Sequence, residues 1–242
     1  MQPATVPAGG RLREFYRDAP LGVRANMIFS ADGAAAFGGR AGPLSCPADQ
    51  QLLRELRGYA DVVLVGAGTV RAERYGPVRL SDEQLAERHA AGRLTLPPLA
   101  VVSQTGRLPD SMFTDPIQRP ILITSARAAE QHGLTTDSRR SVLVAGEKTV
   151  EIAAAVDTLR SHGMHRILCE GGPTLLHEIV EADLLTEICI TVAPRLAGSQ
   201  PVGSAPASAL AFPVPLTLAH ALVHDGYLFS RYVRADRPDA TG

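Results

Sequence analysis

The feature that most constrains the fold of this chain is a series of short apolar runs, each closed by small or hydroxylic residues. Asp61-Val-Val-Leu-Val65 leads into Gly66-Ala67-Gly68-Thr69, Leu99-Ala-Val-Val102 into Ser103, and Pro120-Ile-Leu-Ile123 into Thr124-Ser125. Ser141-Val-Leu-Val144 leads into Ala145-Gly146, and Ile167-Leu-Cys169 into Glu170-Gly171-Gly172. Runs without polar alternation read as strands buried on both faces. Helical patterns lie among them, notably Pro47 to Gly58, with Leu52, Leu53 and Leu56 on one stripe, and Glu151 to His162. Such alternation predicts an α/β fold with a mainly parallel central sheet, whose ligands bind at the carboxyl ends of the strands.

The ends of the chain read differently. Val23 to Phe29 is a strand in which Val23, Ala25, Met27 and Phe29 share one face and Arg24, Asn26, Ile28 and Ser30 the other. Glu187 to Val192, Leu216 to Val223 and Tyr227 to Val233 are strands without intervening helices, with His224-Asp225-Gly226 as a hairpin turn. They predict antiparallel C-terminal edge strands on the parallel sheet. Leu196 to Ala211 reads as a surface loop. No linker divides residues 21–234, which form one expected domain between a mobile lead (1–20) and a disordered polar tail (235–242).

Composition removes several classes of function. A net charge of −1 gives no basic face for sequence-independent nucleic-acid binding. No apolar run has the length of a membrane span, and the first residues lack a secretory pattern, so a cytoplasmic protein is expected. Cys46, Cys169 and Cys189 are too few and too scattered for a disulfide framework or a metal site. His162 and His165 have no acidic or cysteine partner at metal-ligand spacing, so no metal is expected.

The strand ends carry the chemistry. In Glu170-Gly171-Gly172-Pro173-Thr174-Leu175 a strand gives way to a helix through two glycines, which let a ligand approach the backbone. The free N–H groups of a first helical turn attract phosphate, and Pro173 suits that turn because its missing N–H is not needed there. Together with Gly66-x-Gly68-Thr69 this suits a long, phosphate-bearing cofactor lying across the sheet edge. There is no dinucleotide Gly-x-Gly-x-x-Gly fingerprint and no P-loop lysine. At the end of the first strand, Asn26, Ser30 and Asp32 point the same way if the strand stays extended. Asp32 would then hold a substrate group or move a proton, while the bland reading of Asp32-Gly33 is a turn.

These residues resemble the reductase domain of riboflavin biosynthesis, the C-terminal half of the bifunctional deaminase–reductase. The resemblance rests on Ser30-x-Asp32-Gly33, Leu-Leu-Arg54-Glu-Leu, Gly66-x-Gly68-Thr69-Val70-Arg-Ala-Glu73, Val78-Arg79 and Glu170-Gly-Gly-Pro-Thr-Leu, and spans Val23 to Val233. It implies a three-layer dihydrofolate-reductase-like fold, NADPH as cofactor, a homodimer, and reduction of a pyrimidine ribosylamine 5′-phosphate. By the same resemblance Gly66, Thr69, Glu73, Val150, Gly171, Gly172, Thr174 and Leu175 would hold the cofactor, with Ser103 expected beside it from its place at a strand end. Asp32 and Glu170 would be catalytic, with Asn26, Arg54 and Arg79 on the substrate, the arginines at its phosphate. The family's Asp-x-Pro segment is replaced here by Glu73-Arg-Tyr75-Gly-Pro77, and its Gly-Glu-Ser loop by Gly39-Arg-Ala-Gly-Pro43. Both departures touch the substrate side. The zinc-deaminase signature is absent. Two other readings stand beside this one: a dihydrofolate or pterin reductase, and a non-catalytic NADPH-binding protein.

Overall fold

The structure, a computed structural model, describes residues 4–5, 12–93, 96–198, 210 and 212–235. Its strands are β1 (Ala4–Thr5), β2 (Gly22–Ser30), β3 (Val62–Gly66), β4 (Leu99–Val102), β5 (Ile121–Thr124), β6 (Ser141–Val144), β7 (Arg166–Cys169), β8 (Leu185–Ala193), β9 (Leu216–His224) and β10 (Tyr227–Arg234). They join in one sheet of order β1-β9-β10-β8-β2-β7-β3-β4-β5-β6. Pairing is parallel from β8 through β2 to β6, and β10 is antiparallel to both β8 and β9. The expected parallel sheet with an antiparallel C-terminal part is therefore present. Asp225 and Gly226 have φ of 50° and 77°, two successive left-handed residues that turn β9 into β10 as a tight hairpin.

The α-helices are α1 (Pro47–Tyr59), α2 (Ala67–Ala72), α3 (Asp82–Ala90), α4 (Ala126–His132), α5 (Ile152–Ser161) and α6 (Pro173–Glu181). Leu52 and Leu56 of α1 pack with Val63, Val65, Val101 and Phe229 on one face of the sheet. Val156 and Leu159 of α5 and Ile179 of α6 pack with Val23, Ala25, Met27, Val62 and Leu64 on the other. The alternation read along Val23 to Phe29 thus divides β2 between two cores, giving three layers. Leu52 and Leu56 are 1% exposed, and each contributes on the order of 2 kcal/mol by leaving water.

Residues 12–20 pack on the body of the domain. Leu12–Phe15 form a 3-10 turn, and Tyr16 is fully buried. Arg24 on β2 pairs with Glu187 on β8 at 2.6 Å. Glu187 also pairs with Arg231 on β10 at 2.8 Å, and Arg231 reaches Asp18 at 2.7 Å. The segment covers a buried charge network, which ties it to the body. Ala4–Thr5 pair with Leu222–Val223 of β9. The rest of the lead, residues 199–209 and 211 of the expected loop, and the tail from 236 lie outside the described residues.

Candidate active site

A cavity of about 680 Å³ opens at the carboxyl ends of β2, β3 and β7. That volume is within the range of small-molecule sites. It is lined by Asn26 and Ile28 of β2, the loop from Ala35 to Ser45, and Asp49, Leu53 and Arg57 of α1. Gly66, Thr69, Glu73, Tyr75, Glu170, Gly172, Thr174 and Leu175 complete the wall.

Because β3 and β7 are neighbours, the two glycine motifs leave the sheet side by side. The Gly66 N–H donates to the Gly171 carbonyl at 2.8 Å, and the Glu170 N–H to the Leu64 carbonyl at 3.0 Å. Gly171 and Gly172 are joined by a cis peptide. A side chain at Gly172 would put its Cβ 2.7 Å from Thr69 Oγ1, so the bare glycine lets these two segments meet without displacing that hydroxyl. Gly172 is the N-cap of α6 and offers that helix no side-chain cap. The N–H groups of its first turn are free to receive an anion. Nearby, Asn26 Oδ1 is buried without a hydrogen-bond partner. A bare-backbone cradle at a helix start and an orphaned amide oxygen in one cavity fit a phosphate-bearing nicotinamide cofactor and a polar substrate.

Glu170 leaves β7 directly into the cavity with both carboxylate oxygens hydrogen-bonded. Arg57 Nε and Nη2 each donate to it at 2.7 Å, and the Tyr75 hydroxyl donates at 2.6 Å. The Arg57 guanidinium also lies over the Tyr75 ring, 5.4 Å from its centroid. Burial alone would pull Arg57 down. The charge of Glu170 and its hydrogen bonds reverse this and hold the guanidinium above its ordinary value. Burial, then the Glu170 charge, keeps the Tyr75 hydroxyl well above its usual range. The result is a bidentate, charge-assisted clamp that fixes one carboxylate between the glycine ledge and the open cavity. Just behind it, burial pushes the Cys169 thiol up to about 12, so Cys169 is a core residue and not a nucleophile.

The family model of the RibD C-terminal domain matches residues 22–224. The chain belongs to the RibD C-terminal domain family. It is 29% identical over 158 residues to the 2,5-diamino-6-ribosylamino-4(3H)-pyrimidinone 5′-phosphate reductase of Archaeoglobus fulgidus, covering 65% of this chain and 72% of that protein. The reductase of the same name from Methanothermobacter thermautotrophicus is 27% identical over 177 residues, covering 72% and 78%. Among solved structures, a pyrimidine reductase-like protein from Corynebacterium diphtheriae superposes with a TM-score of 0.81 at 29% identity, covering 93% of this chain and 98% of that one.

In this RibD C-terminal domain the cavity gathers Asn26, Gly66, Thr69, Glu73, Glu170, Gly172, Thr174 and Leu175 of the expected residues, with Gly171 joined to Gly66 beneath them. Others stand elsewhere. Arg54 and Arg79 line a separate cleft with Arg13 and Gln84. On a helix, Asp49, Leu53 and Arg57 are four residues apart and share the cavity face, whereas Arg54 is turned about 100° away from Leu53. That spacing was the available signal for Arg57, which the motif reading passed over. Asp32 does not line the cavity. The strand stops at Ser30, whose carbonyl accepts from the Gly33 N–H at 2.9 Å, so the backbone turns before Asp32. Asp32 instead accepts from Ser30 Oγ and from the N–H groups of Ala197 and Gly198 at 2.5, 3.0 and 2.8 Å. It is a loop anchor, and the turn reading of Asp32-Gly33 holds.

Glu73 lines the cavity in an unexpected role. It accepts from the Ala41 N–H at 2.5 Å and pairs with Arg40 at 3.7 Å, tying the 39–42 loop to the cavity wall. Ser103 spends its hydroxyl on the N–H groups of Thr105 and Gly106 at 3.4 and 3.1 Å, forming a turn outside the cavity. Val150 packs against the core beside α5 and α6. Ser45, Asp49 and Arg40, not foreseen from sequence, are part of the cavity wall.

Proposed function

We propose that this protein reduces the ribosyl group of a pyrimidine ribosylamine 5′-phosphate to ribityl with NADPH, a step of riboflavin biosynthesis, acting as a cytoplasmic homodimer. Two archaeal relatives carry the name of such a reductase over most of their length. The observation that carries the reading is the junction of Gly66 with Gly171 beneath a cavity whose far wall is the Glu170–Arg57–Tyr75 clamp. Gly66, Thr69, Gly171, Gly172 and the first turn of α6 take the cofactor pyrophosphate. When bound, the nicotinamide supplies a hydride to the carbon being reduced.

The chain's own side chains position the substrate. Glu170, held rigid by Arg57 and Tyr75, accepts from sugar hydroxyls with its remaining lone pairs. Asn26 Oδ1 accepts an N–H of the pyrimidine or its amino group. Arg57 is tightly committed to Glu170, so among the described cavity residues the cation assigned to the 5′-phosphate is Arg40, half-exposed and only loosely paired with Glu73 at 3.7 Å. The 39–42 loop, tied to the wall by Glu73, excludes water from the reacting atoms.

The test is NADPH absorbance with purified protein, offering the ribosylaminopyrimidine 5′-phosphate in its deaminated and non-deaminated forms, and dihydrofolate in parallel. Oxidation with a phosphorylated pyrimidine and not with dihydrofolate is expected. Oxidation with dihydrofolate alone would replace this reading by a pterin reductase.

A further inference from the structure

Three acids line the cavity, Asp49, Glu73 and Glu170, and two are bound to cations. Glu170 is held by Arg57, and Glu73 by Arg40 and the Ala41 N–H. Asp49 differs. It stands in the first turn of α1, 8% exposed, and its partners are neutral hydroxyls. Ser45 Oγ donates to Asp49 Oδ2 at 2.6 Å, and the buried Thr191 hydroxyl of β8 favours its charged form in the same way. Other charged or titratable groups face this region from the surrounding elements. They are Arg40 from the loop, Arg57 further along α1, Glu73 after α2, Glu170 after β7, and Tyr227 behind Ser45 with Arg195 against it. None gives Asp49 a salt bridge. Burial holds its carboxyl above the ordinary value, and the two hydroxyls only partly oppose this.

We propose that Asp49 is the proton donor of this site, giving its carboxyl proton to the substrate nitrogen bonded to the carbon that is reduced. The inference rests on the reaction proposed above. In the opened ribosylamine that carbon and nitrogen form a C=N bond. The carbon gains a C–H bond from the hydride of the nicotinamide reductant. The π pair moves to nitrogen and forms the N–H bond with the Asp49 proton. The Asp49 carboxylate left behind is stabilised by Ser45 and Thr191 and regains a proton from water at the mouth. One hydride and one proton are consumed for each amine formed. Both Glu170 oxygens are taken up by Arg57 and Tyr75, and Asp32 does not line the cavity.

The experiment compares wild type with Asp49→Asn and Asp49→Glu in steady-state kinetics against pH. It is joined by a carboxyl 13C NMR titration of the unliganded wild type, with the variants assigning the signal. A donor must be protonated to act, so wild-type kcat falls as pH rises through the Asp49 pKa. Asp49→Asn lowers kcat by about 10²–10⁴-fold and removes that alkaline limb, with KM little changed. Asp49→Glu restores part of the rate together with a displaced limb. The NMR titration finds Asp49 above the ordinary carboxylate pKa of 3.8. An Asn variant with near wild-type kcat and an intact limb overturns the proposal. So does an Asp49 signal titrating at or below the ordinary value, a reading that stands even if a variant does not fold. Wild type that fails to turn over any ribosylaminopyrimidine phosphate overturns the reaction itself, and the role of Asp49 with it. Active wild type beside an unaffected Asn variant overturns only the role of Asp49.

Discussion

At the scale of single residues the site is governed by which charges are already spent. Glu170 and Arg57 are both shielded from water, with side chains 3% and 16% exposed. Breaking such a pair leaves an uncompensated buried charge, at a cost of about 3–5 kcal/mol. Arg57→Met should therefore lower the urea midpoint by an amount equivalent to about 3 kcal/mol as well as abolish turnover. A variant as stable as wild type would mean that Glu170 finds another partner or a proton. Glu170 was legible in the sequence because it ends an apolar strand and precedes two glycines, a local pattern. Arg57 was not, because its importance depends on a helical angle measured against β7, far away in the chain. Asp49 was hidden for the same reason. Asp32 stands outside the cavity lining because one hydrogen bond, Gly33 N–H to Ser30 carbonyl, ends the strand two residues before it, a turn that residue alternation does not show.

Elements were easier to read than side-chain roles. Strands β2 to β10 and the long helices α1, α5 and α6 are visible in apolar runs and stripes, since burial writes itself into composition, whereas the two-residue β1 is not. Helix α2 is not legible as a helix, because six residues are too few to display helical periodicity. Helix α3 was missed although it carries a capping box: Gln84 N–H donates to Ser81 Oγ at 3.3 Å and Ser81 N–H to Gln84 Oε1 at 2.9 Å. Ser81→Ala should cost about 1 kcal/mol in chemical denaturation, with no change in cofactor affinity. The opposite split is expected where α6 begins. Gly172→Ala drives a methyl group against Thr69 and into the phosphate cradle. Its NADPH dissociation constant, measured by fluorescence or calorimetry, should rise at least about tenfold, which corresponds to about 1.4 kcal/mol of binding. Unchanged affinity would remove the cradle from the cofactor site.

At the scale of the whole molecule, the N-terminal turn and the C-terminal strands share one polar seam. His220 on β9 packs edge-on against Tyr16 at 4.7 Å, and its Nε2 is buried without a partner. Burial, with the nearby Arg231 charge adding to it, lowers its pKa from 6.5 to about 4. The unfolded chain therefore takes up a proton in a range where the folded one does not. Stability from this group is full above pH 6.5 and is lost as pH falls from about 6.5 to about 4. His220→Phe keeps the ring and removes the titration, so its melting temperature should change less than that of wild type across this interval. Parallel profiles would show that other groups set the acid limit. The sheet order has a further consequence, for synthesis. β2 lies at the middle of the sheet, yet its partners β7 and β8 begin at Arg166 and Leu185, far downstream. At translation rates of about 5–20 residues per second, Val23 to Phe29 leave the ribosome on the order of ten seconds before either flank exists. A strand at the middle of the sheet thus waits as an unpaired, largely apolar ribbon, and the yield of folded protein depends on what shelters it during that interval.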